Sequence, residues 1–537
     1  MKALRRRRGL LLAALGGVAF ALTSPPTDLY PAVLVGLALL AASLEVDELG
    51  FRAAFGRGAM WGTSAGLVGL RFVPAVIQRF TPLGAPLSYL SLVLLAAAQS
   101  LIWALGAGVA TILRRRAKVP FELSFGIGVL LSLSLPTIFA WSPAGLISPW
   151  PAFVQLADVI GERGVSVLIA FAAALLARGG ITLARSLSQP IEKRPSPRAV
   201  VVPVLGAVAV IGVLAAYGVP RMAMIRRETE ALPTVKVGLV DHAILPLLRW
   251  DPEQHPKILQ SLHDLTIKSE AEGAELTIWP EGAYPYELPH DLTKAPPGRR
   301  GILGKGIKGP LLVGLITSAK PFQREDKSFE RNSYNSATVV LSDGAMQLPY
   351  DKLQLLWFGE MVPGGAQLPW LRRMFQRGGG LIPGTEPRAL DVPLTDGRPS
   401  LHVAVLNCYE DTLPDVGRRQ DTTLSPNLLV NITNDAWFHH TAEPELHARL
   451  GAMRAIELRR DLVRSVNYGV TSWIDATGTV RARYAGDDPS MLLATPAIRA
   501  SSPTLYARFG DAPLATLLIG LAAWLAWRAR RPAPATS

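Results

Sequence analysis

Apolar residues are distributed in two ways along this 537-residue chain. Seven long apolar runs cover about residues 9–23, 29–45, 59–76, 86–113, 121–140, 164–184 and 199–217, and an eighth covers about 513–527. Several approach the roughly 20 residues that an α-helix needs to cross a bilayer, and the shorter ones can recruit neutral flanks. Between 218 and 512 the pattern shifts to short apolar stretches set apart by polar ones. Residues 234–240 (TVKVGLV), 275–279 (ELTIW), 311–316, 337–342, 427–433 (NLLVNIT), 462–467 and 471–475 read as strands. Residues 256–271 and 443–460 carry helical spacing. This alternation predicts an α/β domain whose sheets are covered by helices. One further strand, in LHVAVLNCYED (401–411), ends at Cys408 and gives way at once to polar residues.

Composition agrees with the apolar runs. Hydrophobic residues make up 49% of the chain and charged ones only 18%, with a mean hydropathy of +0.26, too apolar for an ordinary soluble protein. The formal charge of +13 does not read as a nucleic-acid surface, because the basic residues cluster beside the apolar runs. Such clusters are Arg5–Arg8, Arg52 and Arg57, Arg114–Arg116 with Lys118, Arg185 with Lys193, Arg194 and Arg198, and Arg528 with Arg530 and Arg531. If every run crosses, all these clusters fall on one side, which is then cytoplasmic. Both termini are expected inside and residues 218–512 outside, with the first run retained rather than cleaved as a signal. The expected parts are a seven-span bundle (1–217), an external domain (218–512), and an eighth span with a cytoplasmic tail (513–537).

Cys408 is the only cysteine, which excludes an internal disulfide and a multi-cysteine zinc site. A lone cysteine closing a buried strand is either a small core residue or a nucleophile. Two other strand ends carry groups that suit the second reading: Glu281 after LTIWP and Lys352 in LPYDKLQLLWFGEMVP. A thiol attacks an acyl carbon only as thiolate, so a base must take its proton, and Glu281 fits that task. Lys352 can stabilise the oxyanion that forms. Each residue alone reads as a surface charge. Three of them following apolar strands point to a shared site.

The ordered set WPEGAYP, YDK, FGEMVP, NCYED and NDAWF resembles the apolipoprotein N-acyltransferases, a membrane-bound branch of the nitrilase (carbon–nitrogen hydrolase) superfamily. The resemblance covers essentially the whole chain. It implies an αββα nitrilase-like sandwich on an eight-span α-helical transmembrane bundle, and a catalytic triad of Glu281, Lys352 and Cys408. It also implies supporting roles for Glu360, Tyr409, Glu410 and Asn335. The implied reaction moves an acyl chain from a phospholipid through a Cys408 thioester to the α-amino group of a diacylglyceryl-cysteine on an apolipoprotein. The protein would sit in the inner membrane as a monomer, without cofactor, metal or nucleic acid. Several positions depart from the family pattern: Asp241-His242-Ala243 for Gln-Gly-Asn, Gln354, Leu356-Trp357, His439 for glycine, and Arg71 where aromatics are commoner.

Other residues read more plainly. His439, His440 and His447, near Glu443 and Glu445, could bind metal but read as solvated. Trp437 and Phe438 read as packing residues or an acyl-path lining, and Trp357 and Met361 as packing or an apolar lip beside Glu360. Arg454, Arg459, Arg460 and Arg464 read as a solvated helix face and its end. Two competing functions are a membrane-tethered amidase, which an eight-span frame disfavours, and a non-catalytic lipoprotein-binding protein, which the intact triad disfavours.

Overall fold

The structure is a computed structural model that describes residues 2–45, 49–319, 322–323, 329–330, 332–362, 367, 380–394 and 396–530. It divides into two compact units, Met1–Arg221 with Phe509–Ser537, and Met222–Arg508. The tail from Arg531 onward lies outside the described residues.

The first unit is helical. Four helices are long and apolar enough to cross a membrane: Ala85–Arg116, Ala157–Ser188, Arg198–Glu230 and Ala512–Ala529. The helices Phe51–Gly69 and Val73–Phe80 would make a fifth span if taken together, but they are bent by 60°. Pro74, in the first turn of the second helix, has no N–H to continue the ladder across the break. The apolar runs at 29–45 and 121–140 become helices of only 14 residues, Ala32–Glu45 and Phe121–Ser134. At 1.5 Å per residue these span about 21 Å, short of a ~30 Å hydrocarbon core. Four to five of the eight expected spans are therefore found by length and composition. Small residues bring the helices close. A Cβ on Gly58 would lie 2.5 Å from the Trp103 carbonyl oxygen, and one on Gly62 would lie 2.8 Å from Ser100, the close backbone approach typical of membrane helix pairs.

The second unit has two large sheets and a two-stranded one, Phe322–Gln323 with Phe329–Glu330. One large sheet runs in the order Ser490–Ala494, Val237–Asp241, Leu276–Ile278, Leu311–Ser318, Ser333–Val340, Tyr350–Asp351. The other runs Val480–Tyr484, Thr471–Ile474, Leu462–Asn467, Leu428–Asn434, Leu401–Asn407, Ala389–Val392. Their inner faces share one apolar core, in which Val237, Leu239, Ile278 and Leu312 of the first sheet meet Val403, Val405, Val430 and Val463 of the second. The helix His255–Ala271 covers the outside of the first sheet through Ile258, Leu259, Leu262 and Leu265. The helix Glu443–Leu458 covers the second through Ala452, Ala455 and Leu458. The layers are therefore helix, sheet, sheet, helix. Central strands of each sheet pair in parallel, Val237 beside Leu276 in one and Val403 beside Leu428 in the other.

The arginine expectation is overturned: Arg454, Arg459, Arg460 and Arg464 are all buried. Arg454 pairs with Glu457 at 3.0 Å, and Arg459 donates to the Ala476 carbonyl at 3.0 Å. Arg460 donates to the Pro426 carbonyl at 2.7 Å and the Ser501 carbonyl at 2.7 Å, while Arg464 pairs with Asp411. Buried guanidinium groups persist where carboxylates and carbonyls replace water. Here most of those partners come from distant parts of the chain.

Candidate active site

Where strands pair in parallel, as the central ones of both sheets do, loops at their carboxyl ends form the natural crevice. Glu281 follows the strand Leu276–Ile278 through Trp279-Pro280 and is buried. Lys352 directly follows the edge strand Tyr350–Asp351 and is 1% exposed. Cys408 opens a short 3₁₀ turn, Cys408–Thr412, after the strand Leu401–Asn407. Its φ is +56°, a left-handed conformation that costs a non-glycine residue about 1–3 kcal/mol and persists only where the surroundings enforce it. Glu410 supplies that enforcement. Its carboxylate accepts hydrogen bonds from Asn407 N (2.8 Å), Leu353 N (2.7 Å), Gln354 N (2.9 Å) and the Tyr350 hydroxyl (2.7 Å). One buried side chain thus ties the cysteine turn to the lysine loop. Burial pushes its carboxyl up to about 7 despite these bonds.

Four of the residues singled out from sequence form one hydrogen-bonded group. Lys352 Nζ lies 2.8 Å from Glu360 Oε2 and 3.2 Å from Glu281 Oε1. Asn335 Nδ2 donates to Glu281 Oε1 at 2.6 Å and to Glu360 Oε1 at 2.7 Å. The second oxygen of Glu281 accepts Asn434 N at 2.9 Å, and Glu360 Oε2 accepts Leu356 N at 2.9 Å. Burial alone would depress the lysine, yet Glu281, Glu360 and Cys408 outweigh it and hold the ammonium well above its ordinary range. Burial, reinforced by the Glu281 carboxylate, pushes the Cys408 thiol well up, while Lys352 pulls it down. At rest the sulfur therefore keeps its proton. Tyr409 follows Cys408 with its phenol pushed up to about 12 by burial.

Two asparagines and two aspartates escaped the sequence reading, and one histidine was misread. Asn407 Nδ2 donates to Asn335 Oδ1 at 3.1 Å, and Asn431 Nδ2 donates to the Cys408 carbonyl at 2.8 Å. Behind the cysteine turn, His447 places Nε2 at 3.0 Å from Asp411 Oδ1 and Nδ1 at 3.1 Å from Asp435 Oδ1. His447 is 3% exposed, which corrects its reading as solvated: both ring nitrogens have exchanged water for carboxylates. The signal was present in the acids of NCYED and NDAWF, but no spacing joined them to a histidine far along the chain.

His439 is separate from that group and lies against Asp487, at 3.0 Å. Its ring packs at a tilt against His440 and Tyr468, with centroids 3.6 and 4.1 Å away. Among the described residues, His439/His440/Asp487 and Asp435/Glu443/His447 each bring three potential metal donors within 4.8 Å of one another. In the second group both imidazole nitrogens already face carboxylates. Trp437 packs edge-on against Trp250 at 5.6 Å. Trp357 and Met361 pair across the turn that carries Glu360. Of the departures from the family pattern, Asp241 is buried and accepts from Ala243 N and Tyr468 N. Burial pushes its carboxyl up to about 7.

Comparison with known proteins covers both units. Residues 16–175 match the apolipoprotein N-acyltransferase N-terminal domain, and residues 236–498 match the carbon-nitrogen hydrolase domain. The chain is 30% identical over 491 residues to the apolipoprotein N-acyltransferase of Geobacter metallireducens, covering 88% of this chain and 87% of that protein. It is also 30% identical over 538 residues to the enzyme of that name from Azotobacter vinelandii, covering 98% and 96%. Two matched domains in this order, and relatives aligned over nearly their full length, place this chain in the apolipoprotein N-acyltransferase family.

Proposed function

We propose that the protein acylates the α-amino group of the N-terminal diacylglyceryl-cysteine of apolipoproteins, using a phospholipid as donor. Glu281, Lys352 and Cys408 do the chemistry. In the first half-reaction Glu281 takes the thiol proton, and the thiolate attacks the phospholipid ester carbonyl. The oxyanion gathers beside the Lys352 ammonium. Collapse breaks the ester C–O bond, forms the thioester, and releases a lysophospholipid whose alkoxide takes the proton back from Glu281. In the second half-reaction the neutral acceptor amine attacks the thioester carbon. Glu281 removes the amine proton, the C–S bond breaks, and the amide leaves with Cys408 restored to a thiol.

The observation that carries this reading is the single buried ammonium held between two carboxylates at the same strand ends as the cysteine. Glu360 and Asn335 hold Lys352 and Glu281 in place, and Glu410 fixes the cysteine turn and Tyr409 beside it. A thioester suits two lipid substrates that need not bind together, since it stores the acyl group between visits. The flanking basic clusters support a further set of assignments: eight spans in the inner membrane, both termini cytoplasmic, and a monomer whose parts are 1–217, 218–512 and 513–537. Residues 218–512 then form the periplasmic catalytic domain.

Mass spectrometry of a lipoprotein from cells that carry only the Cys408→Ala form tests the chemistry. Loss of the N-acyl group, with wild-type protein restoring it, is the expected result. Unchanged triacylation in cells lacking a second such enzyme would remove the proposal.

A further inference from the structure

We propose that His447 is a positioning residue for acyl transfer, holding the nucleophile turn and the turn that seats the base at a fixed separation from behind. The proposal rests on the reading of Glu281, Lys352 and Cys408 as the reacting set. Asp411 belongs to the same five-residue turn as Cys408. Asp435 opens the turn Asp435–Phe438, and its neighbour Asn434 donates its N–H to Glu281 Oε2 at 2.9 Å. His447 bridges the two aspartates, with one ring nitrogen on each. Lys352 and Asn335 thus hold the base from the front, and one imidazole ties the nucleophile turn to the turn that seats the base from the back.

The surrounding backbone is shaped for this bridge. His447 lies in the second turn of the helix Glu443–Leu458. Gly451, one helical turn later, leaves room for the Asp411–Arg464 pair; a Cβ there would lie 2.5 Å from Asp411 Oδ2 and 2.8 Å from Arg464 Nη1. Carboxylates only accept hydrogen bonds, so two bonds at once require both ring nitrogens to carry hydrogen. The bridge is therefore complete only in the imidazolium form.

The groups facing the ring are Glu443 on its own helix, Asp411 and the Cys408 carbonyl from the nucleophile turn, and Asp435 from the second turn. Arg464, from the strand Leu462–Asn467, reaches it through Asp411. Burial works against the charged ring, but Asp435 and then Glu443 outweigh it and raise it to about 9. Burial holds the Glu443 carboxyl at about 8, with Asp435 adding to the rise. The two groups exchange charge as a pair. Once the imidazolium loses its proton, one of the two hydrogen bonds is lost. Asp435, which opposes the Cys408 thiolate, then loses its counter-charge. Acyl transfer should therefore fall away on the alkaline side.

The test uses full-length protein in phospholipid vesicles, with steady-state rates and the pH dependence of Cys408 alkylation by iodoacetamide, a clean signal because the chain has one thiol. His447→Gln is expected to lower kcat by about 100-fold, the effect of a small misplacement of reacting groups, with KM for the phospholipid unchanged. The alkylation midpoint should rise to higher pH. Glu443→Gln keeps both hydrogen bonds and removes an acid that supports the imidazolium, so it should move the alkaline limb of kcat to lower pH. If His447→Gln lowers Tm while kcat and the alkylation profile of the folded protein stay as in wild type, the residue is merely structural and the proposal fails. If that variant does not fold, an unmoved alkaline limb in Glu443→Gln has the same meaning. Transfer that survives Cys408→Ala would instead overturn the reading of the site itself.

Discussion

Two groups of buried charge lie on opposite sides of Cys408, and they are built differently. In front, Lys352 stands alone between Glu281 and Glu360. Behind, His447 and Arg464 face Asp411 and Asp435, two cations against two carboxylates. The front group has one carboxylate more than it has cations, so a proton arriving there neutralises its excess negative charge. The rear group is matched as long as the Glu443 carboxyl beside His447 keeps its proton, and the pair changes charge only on the alkaline side. Similar desolvation acts on both, but the excess carboxylate of the front group is what suits it to taking up a proton. The matched group gives shape.

The largest expected difference between the two sides lies in Glu281. Glu281→Gln keeps the size of the side chain and its acceptor oxygen while removing the base, so acyl transfer should fall by about 10²–10⁴. The protein should remain folded, because Asn335, Asn434 and Lys352 all donate to that position and one amide oxygen can still accept. Thioester formation followed by mass spectrometry measures the first effect, and thermal unfolding the second. Asp411→Asn on the other side should show the reverse emphasis, with a clear fall in Tm. If both variants lose rate and stability in equal proportion, the division into a working and a shaping group is wrong.

Lys352→Met comes next. Removing one oxyanion donor costs about 10²–10³ in kcat. Leaving two buried carboxylates without their cation costs about 3–5 kcal/mol of stability. Both losses should appear together; the stability loss should lessen as pH falls and the carboxylates take up protons, while the rate should not recover, because the base is then occupied. Arg464→Met should match the stability loss, with activity per folded molecule falling less.

Asp241 gives a third kind of buried carboxylate, one that accepts two backbone N–H bonds but shows no ion pair among the described residues. Its folded-state value of about 7 lies above the ordinary 3.8. The folded protein therefore binds the proton more tightly than the unfolded chain does. The associated stability is complete below about pH 4 and is lost as pH rises through 7. A shift of this size amounts to on the order of 4 kcal/mol between those limits. Asp241→Asn should remove that loss, so its Tm advantage over wild type should be small at pH 5 and grow by pH 8. A constant difference would mean that Asp241 has an ionic partner when folded.

The strands, and the placing of Glu281, Lys352 and Cys408 after strand ends, were legible because apolar strand ends that carry such residues are a local pattern. The layered core was legible for the same reason, since Val403, Val405, Val430 and Ile432 alternate or run as buried strands do. The buried arginines were not. Arg464 looks solvated in sequence, and what buries it is Asp411, more than fifty positions earlier on another turn. His447 failed in the same way. Four to five of the eight expected spans meet the length of a crossing helix, because composition shows that a stretch can live in lipid, whereas a local break such as the 60° bend before Pro74 decides how long each helix runs.

The smallest expected effect tests whether position outside the paired groups matters. His439 stands where the family usually has glycine, and it pairs with Asp487, most of whose side chain is in solvent. An exposed pair of this kind is screened by salt and contributes little. His439→Gly should therefore leave kcat/KM close to wild type and lower Tm only slightly. The Tm difference should shrink further at roughly 1 M salt, where the screening length falls to about 3 Å. The ring also lies 4.1 Å from that of Tyr468, and such a ring contact does not respond to salt as an ion pair does. A Tm difference that survives high salt would therefore assign the residue's contribution to packing rather than charge. It would place His439 with the shaping groups of the site instead of with its solvent-facing surface.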